Sequence, residues 1–206
     1  MMFAGVLLIA SGVMLFLWNR YEGQMAYAKA NALVEAFQTR IGDSPADRTD
    51  RDDFFDTGLY NGTGVGGDGS EMMALEIKGY SCMGMLSIPR LDLVLPVISE
   101  YDDERLDAGL CRYYGSRDGD DLVIAGHNYA GFFKNLNKVQ PGDQVVFTDI
   151  YGIETVYQAG WTELIDADDG EKMIRGNWDL TLFTCTYGAK ARVTLRCSRI
   201  IKKSHN

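Results

Sequence analysis

The hydrophobic pattern of the chain changes character several times, and each change predicts a different element. Phe3 to Trp18 (FAGVLLIASGVMLFLW) carry no charge, and Trp18 and Tyr21 follow as interfacial aromatics around Arg20. Residues 1–20 are therefore expected to form a membrane anchor, although the run is slightly short of the roughly 17 to 25 residues that usually span. It continues past Ala10-Ser11-Gly12, where a cleaved signal peptide would exit, so an uncleaved single pass is expected. Arg20 and Lys29 follow the segment and no basic residue precedes it, which by the positive-inside rule alone would hold the remainder in the cytoplasm. Residues 21–41 have helical composition, with Leu33, Phe37 and Ile41 on one stripe, and read as a juxtamembrane helix closed by Gly42 and Pro45. Residues 42–81 are rich in Asp and Gly and are expected to be a flexible linker. Gly62 to Gly67 lack the preceding strand and following helix of a nucleotide-binding loop.

From Cys82 onward the period shortens to two. Strands are expected at Met85–Ile88, Leu93–Ile98, Leu122–Ala125, Gln144–Thr148, Glu154–Thr162, Leu180–Cys185 and Arg192–Ile200, with short helical turns at Asp103–Ala108 and Phe132–Leu136. Many short strands with little helix predict an all-β fold, a closed or nearly closed barrel in residues 82–206. Composition adds two restrictions. With 206 residues and 46% hydrophobic, the chain holds one domain of ordinary size plus appendages. A net charge of -9 without any basic run argues against a nucleic-acid partner.

Four cysteines and two histidines match no zinc spacing, so no metal or cofactor is expected from them. Cys197 falls on the apolar face of its strand, with Val193 and Leu195, and reads as core. Nothing selects a Cys82–Cys111 disulfide. Cys185 differs, because it ends the run Leu180-Thr181-Leu182-Phe183-Thr184-Cys185 just before the Tyr187-Gly188 turn. It is a candidate nucleophile on a rigid strand end. A base is available in His127, where the apolar strand Leu122–Ala125 stops at Gly126-His127, and a cation in Arg192 at the start of the last strand. A hairpin through Tyr187–Lys190 would bring Arg192 to Cys185. Arg196 shares the face of Arg192 but stands about 13 Å further along and reads as a solvated charge.

Thr-Leu-Phe-Thr-Cys at 181–185 resembles the TLxTC signature of sortases, the cysteine transpeptidases of Gram-positive surfaces. Ala125-Gly126-His127-Asn128 is similar to the segment around the sortase histidine, and Arg192 matches the sortase arginine in order and spacing. The resemblance runs from about Met83 to Ile200 and implies a sortase-type barrel of about eight strands with the site on its outer wall. It implies that Cys185 cleaves an LPxTG-like sorting motif through a thioacyl-enzyme, that His127 shuttles protons, and that Arg192 holds substrate carbonyls and the oxyanion. Thr184, Thr186 and the backbone N–H after Cys185 would assist. Because no carboxylate adjoins His127 in the sequence, the Cys185–His127 pair is expected to be mostly neutral at pH 7.

The implied partners are surface proteins with a C-terminal sorting motif, and an amine acceptor from a peptidoglycan precursor or a pilin lysine. The implied location is a single N-terminal pass in the cell membrane with the catalytic domain outside, opposite to the orientation that Arg20 and Lys29 alone suggest. Some relatives bind calcium with acidic residues before the catalytic strand, where this chain has Asp166, Asp168, Asp169 and Glu171. Class is left open: Gly-His-Asn is similar to class B, while Cys-Thr-Tyr-Gly is similar to the Cys-Thr-Pro-Tyr of classes C, D and E without its proline. The Asp-Pro-aromatic triplet of pilus-sortase lids does not occur. The alternatives are a pilus-assembling sortase, a cysteine hydrolase releasing peptide to water, and an inert surface barrel.

Overall fold

The computed structural model describes residues 2–42 and 73–200. The Gly-rich stretch and Phe54-Phe55 of the expected linker, and His205 in the tail, lie outside the described residues.

Eight strands close a barrel. They are β2 (Tyr80–Ile88), β3 (Leu93–Ile98), β4 (Leu110–Tyr114), β5 (Leu122–Ala125), β6 (Gln144–Asp149), β7 (Glu154–Asp166), β8 (Leu180–Cys185) and β9 (Ala191–Arg199). Their order is β2-β3-β4-β5-β8-β9-β7-β6, and β2 pairs again with β6 from Gly84↔Asp149 to Ser87↔Val146 to complete the ring. A short β1 (Leu75–Ile77) adds to the start of β2 through a two-residue loop, Lys78-Gly79, both at positive φ. That is the hairpin geometry that matches strand twist. The sheet therefore begins at Leu75, inside the 42–81 stretch expected to be linker.

Alternation divides the strands between two apolar clusters. Leu86, Leu95, Leu110, Ile124, Phe147, Tyr157, Leu182 and Leu195, one from each of the eight strands, belong to a single interior cluster, joined by Phe133 and Leu136 of the 3-10 segment Phe133–Lys138 and by Phe132 just before it. The outward residues Val123 and Ala125 of β5 and Phe183 of β8 join a second cluster with Ile165, Met173 and Leu106. Strands buried on both faces read as continuous apolar runs. That explains why Leu122–Ala125 and Leu180–Cys185 were legible to the residue.

The strands that the pattern does not mark have weak local signals. β4 pairs with β3 over only Val97↔Leu110 and Ile98↔Cys111, and its Cys-Arg-Tyr-Tyr has no clean alternation. β7 runs past Thr162 to Asp166 because the register shift at Ala159/Thr162 lets it pair again with β9. The helical turns expected at 103–108 and 132–136 are α2 (Asp103–Leu106) and the 3-10 segment, and the acidic stretch contains a further short helix, α3 (Gly170–Ile174). Asp169 caps α3, accepting from the Lys172 N–H, and Glu171 pairs with Arg175. Among the described residues no group of three or more His, Cys, Asp or Glu is placed to hold a metal ion.

The expected anchor and juxtamembrane helix form one unbroken helix, α1 (Met2–Gly42). Among the described residues no helix is long and apolar enough to cross a membrane. The two halves of α1 differ in what they touch. Val13 to Trp18 are exposed, whereas Gly23, Ala26, Ala30, Leu33 and Phe37 are buried at heptad-like spacing, Ala26 and Ala30 on the interior cluster and Leu33 and Phe37 in the outer one. The stripe expected from Leu33 and Phe37 is thus a packing seam on the barrel.

One expectation needs correction. Arg196 is not solvated; it is 2% exposed, its guanidinium paired with Glu163 at 2.9 Å and donating to the Met173 and Lys172 carbonyls and to Thr181 Oγ1. The period-two face it shares with Arg192 is covered by α3, so a cation there must be fully partnered to be tolerated. Cys82 and Cys111 are free and buried. Both register against Ile98 from opposite sides, so a whole strand separates them. Two strand spacings are about 9–10 Å, beyond the roughly 7 Å a disulfide allows.

Because one side chain ties α3 to β8 and β9, Arg196→Ala should lower stability by about 3 kcal/mol, read as a reduced urea midpoint at unchanged m-value. A loss within the range of a surface substitution would contradict the stapling role.

Candidate active site

The parallel pairing of β5 with β8 sets the site. Its register, Leu122↔Leu180 to Ala125↔Phe183, is continued by the Gly126 N–H donating to the Phe183 carbonyl at 3.0 Å. Two residues beyond the last pair stand His127 and Cys185, at the same end of the two strands. Gly126 makes this placement possible, since a Cβ there would stand 2.6 Å from Leu110 and 2.7 Å from Phe133. On the other side of β8, Cys185 and Arg192 are direct cross-strand partners in the β8–β9 hairpin. In the strand order β5-β8-β9, His127 lies two residues beyond the end of β5, Cys185 ends β8 and Arg192 is near the start of β9.

Cys185 is exposed at the end of β8, on the face of buried Phe183 and opposite Leu182. Arg192 is held from two sides: Nη1 donates to the Ala167 carbonyl, and its guanidinium carbon lies 5.7 Å from the centre of the Phe183 ring. The ring stabilises the cation and fixes where it points. Among the described residues Arg192 makes no ion pair, so its charge is not neutralised by a protein carboxylate.

His127 has a carboxylate partner that its sequence neighbours do not supply. Nε2 lies 3.2 Å from Asp107 Oδ1, at the end of α2, and the imidazole stacks on Tyr129 with ring centres 4.5 Å apart. One ring edge faces a carboxylate and one ring face is covered by stacking. That is the support a proton shuttle needs to hold its tautomer and orientation.

The two threonines do not serve as expected. Thr184 lies on the interior side with Leu182, 2% exposed, with Oγ1 unpartnered and buried away from the face of Cys185. Thr186 is engaged in closing the hairpin: its Oγ1 donates to the Ala191 carbonyl at 3.0 Å and accepts from the Ala191 N–H, and its own N–H donates to Ala191 at 2.8 Å. The N–H after Cys185 is thus occupied, and the cation that faces the thiol is Arg192.

Sequence reasoning passed over Tyr101. An aromatic chain runs from Tyr101 to Tyr113 to Phe183, edge to face at 5.2 and 5.1 Å, beneath Arg192. The Tyr101 hydroxyl is raised above the ordinary phenol value, first by burial and then by the Cys185 and Tyr113 charges, against the lowering effect of Arg192. It stays a neutral hydrogen-bond donor near the thiol. The helical turn at 103–108 was legible, so a carboxylate at its end was visible; its proximity to His127 was a matter of tertiary packing.

The remaining thiols are chemically silent. Burial, as the leading cause, pushes Cys82, Cys111 and Cys197 each up to about 12. Only Cys185 is exposed.

Comparison with known proteins agrees with this arrangement. Residues 86–200 match the family model described as Sortase domain. Over 89 residues the chain is 30% identical to sortase D of Bacillus subtilis (strain 168), which is 42% of this chain and 44% of that protein. The chain thus spans less than half the length of that curated relative. The fold superposes on sortase A from Corynebacterium diphtheriae with a TM-score of 0.53 and 26% identity, covering 62% of this chain and 64% of that one. For sortase C1 from Streptococcus agalactiae the TM-score is 0.54 at 26% identity, covering 62% and 72%.

A thiol held near 12 stays protonated at every pH below that value and is unreactive. Alkylation of the native protein at pH 8 should therefore modify Cys185 alone, with Cys82, Cys111 and Cys197 labelled only after denaturation, as peptide mapping would show. Labelling of any of those three at a rate comparable to Cys185 would contradict the assignment.

Proposed function

The chain belongs to the sortase family, and from that membership we propose that it is a transpeptidase cleaving an LPxTG-like sorting motif and transferring the acyl fragment to an amine at the cell surface. The observation that supports this reading is the β5–β8–β9 arrangement, in which Arg192 is the cross-strand partner of Cys185 and His127 comes two residues after the strand on the other side. In the first half-reaction the Cys185 thiolate attacks the scissile carbonyl. The electron pair moves onto oxygen, facing Arg192, whose unneutralised charge stabilises it. The C–N bond then breaks, His127 gives its proton to the departing amine, and a thioester remains on Cys185. In the second, an incoming amine attacks the thioester, its proton passes to His127, and the sulfur leaves as thiolate. The reaction as proposed draws on protein side chains alone.

Asp107 and Tyr129 act through His127 and are positioning residues in this scheme. A membrane seat at residues 1–20 belongs to the same proposal, with the barrel outside the cell. It is supported by the uncharged run Phe3–Trp18 and by the exposed apolar side chains Val13 to Leu17, which contrast with the buried seam of α1 beyond Gly23.

Intact mass spectrometry of the detergent-solubilised full chain mixed with LPxTG-like peptides tests the reading. A thioacyl adduct on Cys185, absent in Cys185→Ala and converted by an added amine into a transfer product, is expected; no adduct, together with a Cys185 no more reactive than Cys197, would sink it. Turnover of His127→Ala should fall roughly 10²–10⁴-fold, the ordinary worth of a positioned acid–base group, and that of Asp107→Asn by about tenfold with the adduct still forming. Unchanged turnover in Asp107→Asn would remove Asp107 from the scheme.

A further inference from the structure

A cavity of about 540 Å³ opens between the N-terminal helix and the two catalytic loops. Its walls carry the rings of Phe16, Tyr27, Tyr129 and Tyr187 and the cations Arg20 and Lys134, and no carboxylate lines it. We propose that this cavity is the entrance for the amine acceptor and that it selects an amine whose scaffold bears a negative charge. The proposal rests on the thioacyl chemistry of the preceding subsection.

Strand order supplies the direction of approach. Cys185 on β8 has the His127 strand on one side and the Arg192 strand on the other. The carbonyl oxygen of the thioester belongs with the cation, on the β9 side. The attacking nitrogen must lose its proton to His127, so it arrives from the β5 side. The cavity is on that side: Tyr129 follows His127 by two residues and stacks on its ring, and Tyr187 follows Cys185 by two. Tyr129 is thus both a wall of the cavity and the ring on which the imidazole stacks.

The cavity is built by the docking of α1. The Tyr27 ring lies against the backbone of Gly131, where a Cβ would stand 2.5 Å from the ring and φ is +86. Reciprocally, a Cβ on Gly23 would stand 3.6 Å from Tyr129. These two glycine–tyrosine contacts lock the helix to the loop that carries His127. They also bring Arg20 of α1 over to the side of Lys134. The nearest acid on that turn of helix, Glu22, accepts a hydrogen bond from the Trp18 indole at 2.6 Å. Glu22 keeps its charge and, like Asp107, acts on the Tyr129 hydroxyl from outside the lining; the walls themselves carry the two cations and no carboxylate, and their aromatic rings suit the planar or apolar parts of a ligand.

In the step itself the amine nitrogen bonds to the thioester carbon, the C–S bond breaks with its electron pair returning to sulfur, and the nitrogen proton goes to His127. A carboxylate or phosphate elsewhere on the same molecule meets Arg20 and Lys134. Either anion satisfies the chemistry.

Two matched pairs of acceptors test the proposal on the full chain: triglycine against its C-terminal amide, and phosphoethanolamine against ethanolamine. The quantity read is the yield of transfer product from the charged member divided by that from the neutral one, a ratio that cancels any effect of a substitution on thioester formation. About a tenfold preference, or 1.4 kcal/mol, is expected in at least one pair, and the pair that shows it tells carboxylate from phosphate. In the double variant Arg20→Gln, Lys134→Gln, both on exposed positions, the ratio should fall toward one. A wild-type ratio near one in both pairs, or a preference retained by the double variant, overturns the proposal. Absence of any thioacyl adduct in the mass spectrum marks the failure of the transpeptidase reading itself, and the acceptor site falls with it.

Discussion

The parallel contact between β5 and β8 is the constraint on which the site depends. Four residue pairs and the Gly126 to Phe183 hydrogen bond fix it. Because side chains alternate, a slip of one residue would send Cys185 into the barrel and bring Thr184 to the surface. Burial on both faces prevents that slip. Leu180 and Leu182 are locked into the interior cluster, and Phe183 into the outer one. Cys185 is the first residue of the strand to escape burial, so the thiol is exposed without the strand being mobile.

The outer cluster has a second role, since it supports the cation. Phe183 carries the guanidinium of Arg192 on its ring and meets Tyr113 edge to face, while Ile165 and Met173 fill the space beside it. Arg196 stabilises α3 over the same face through Glu163, Thr181 and two carbonyls. The two arginines on one strand face thus divide their work by depth. One is buried with each guanidinium nitrogen bonded to a protein acceptor; the other, at the turn end of the hairpin, makes no ion pair among the described residues.

The N-terminal helix binds these features to the base. Its small residues, Gly23, Ala26 and Ala30, let the backbone come close to the barrel, and Leu33 and Phe37 fill the outer cluster further along. Since Tyr129 touches both α1 and His127, the position of the helix bears on the orientation of the imidazole. A segment that reads as a stalk is a wall of the catalytic face.

The amino-acid sequence by itself determined the barrel and pointed to the candidate site residues. Doubly buried strands give unbroken apolar runs with sharp ends, and Gly126-His127, Thr184-Cys185 and Arg192 sit at those ends in a recognisable order. Its weak points were local as well: β1 rests on a Lys-Gly hairpin loop, and β4 lacks clean alternation, pairing with β3 over two residues and with β5 across a register shift. Tertiary structure decided the environment of each group. Asp107 reaches His127 from α2, Arg196 is covered by α3, Thr186 and its N–H are taken up by Ala191, and α1 folds back beside Tyr129. The reason is physical. Strand periodicity is written in neighbours two residues apart, whereas the partner of a charge is chosen by packing between elements far apart in the chain, and no local pattern records that distance.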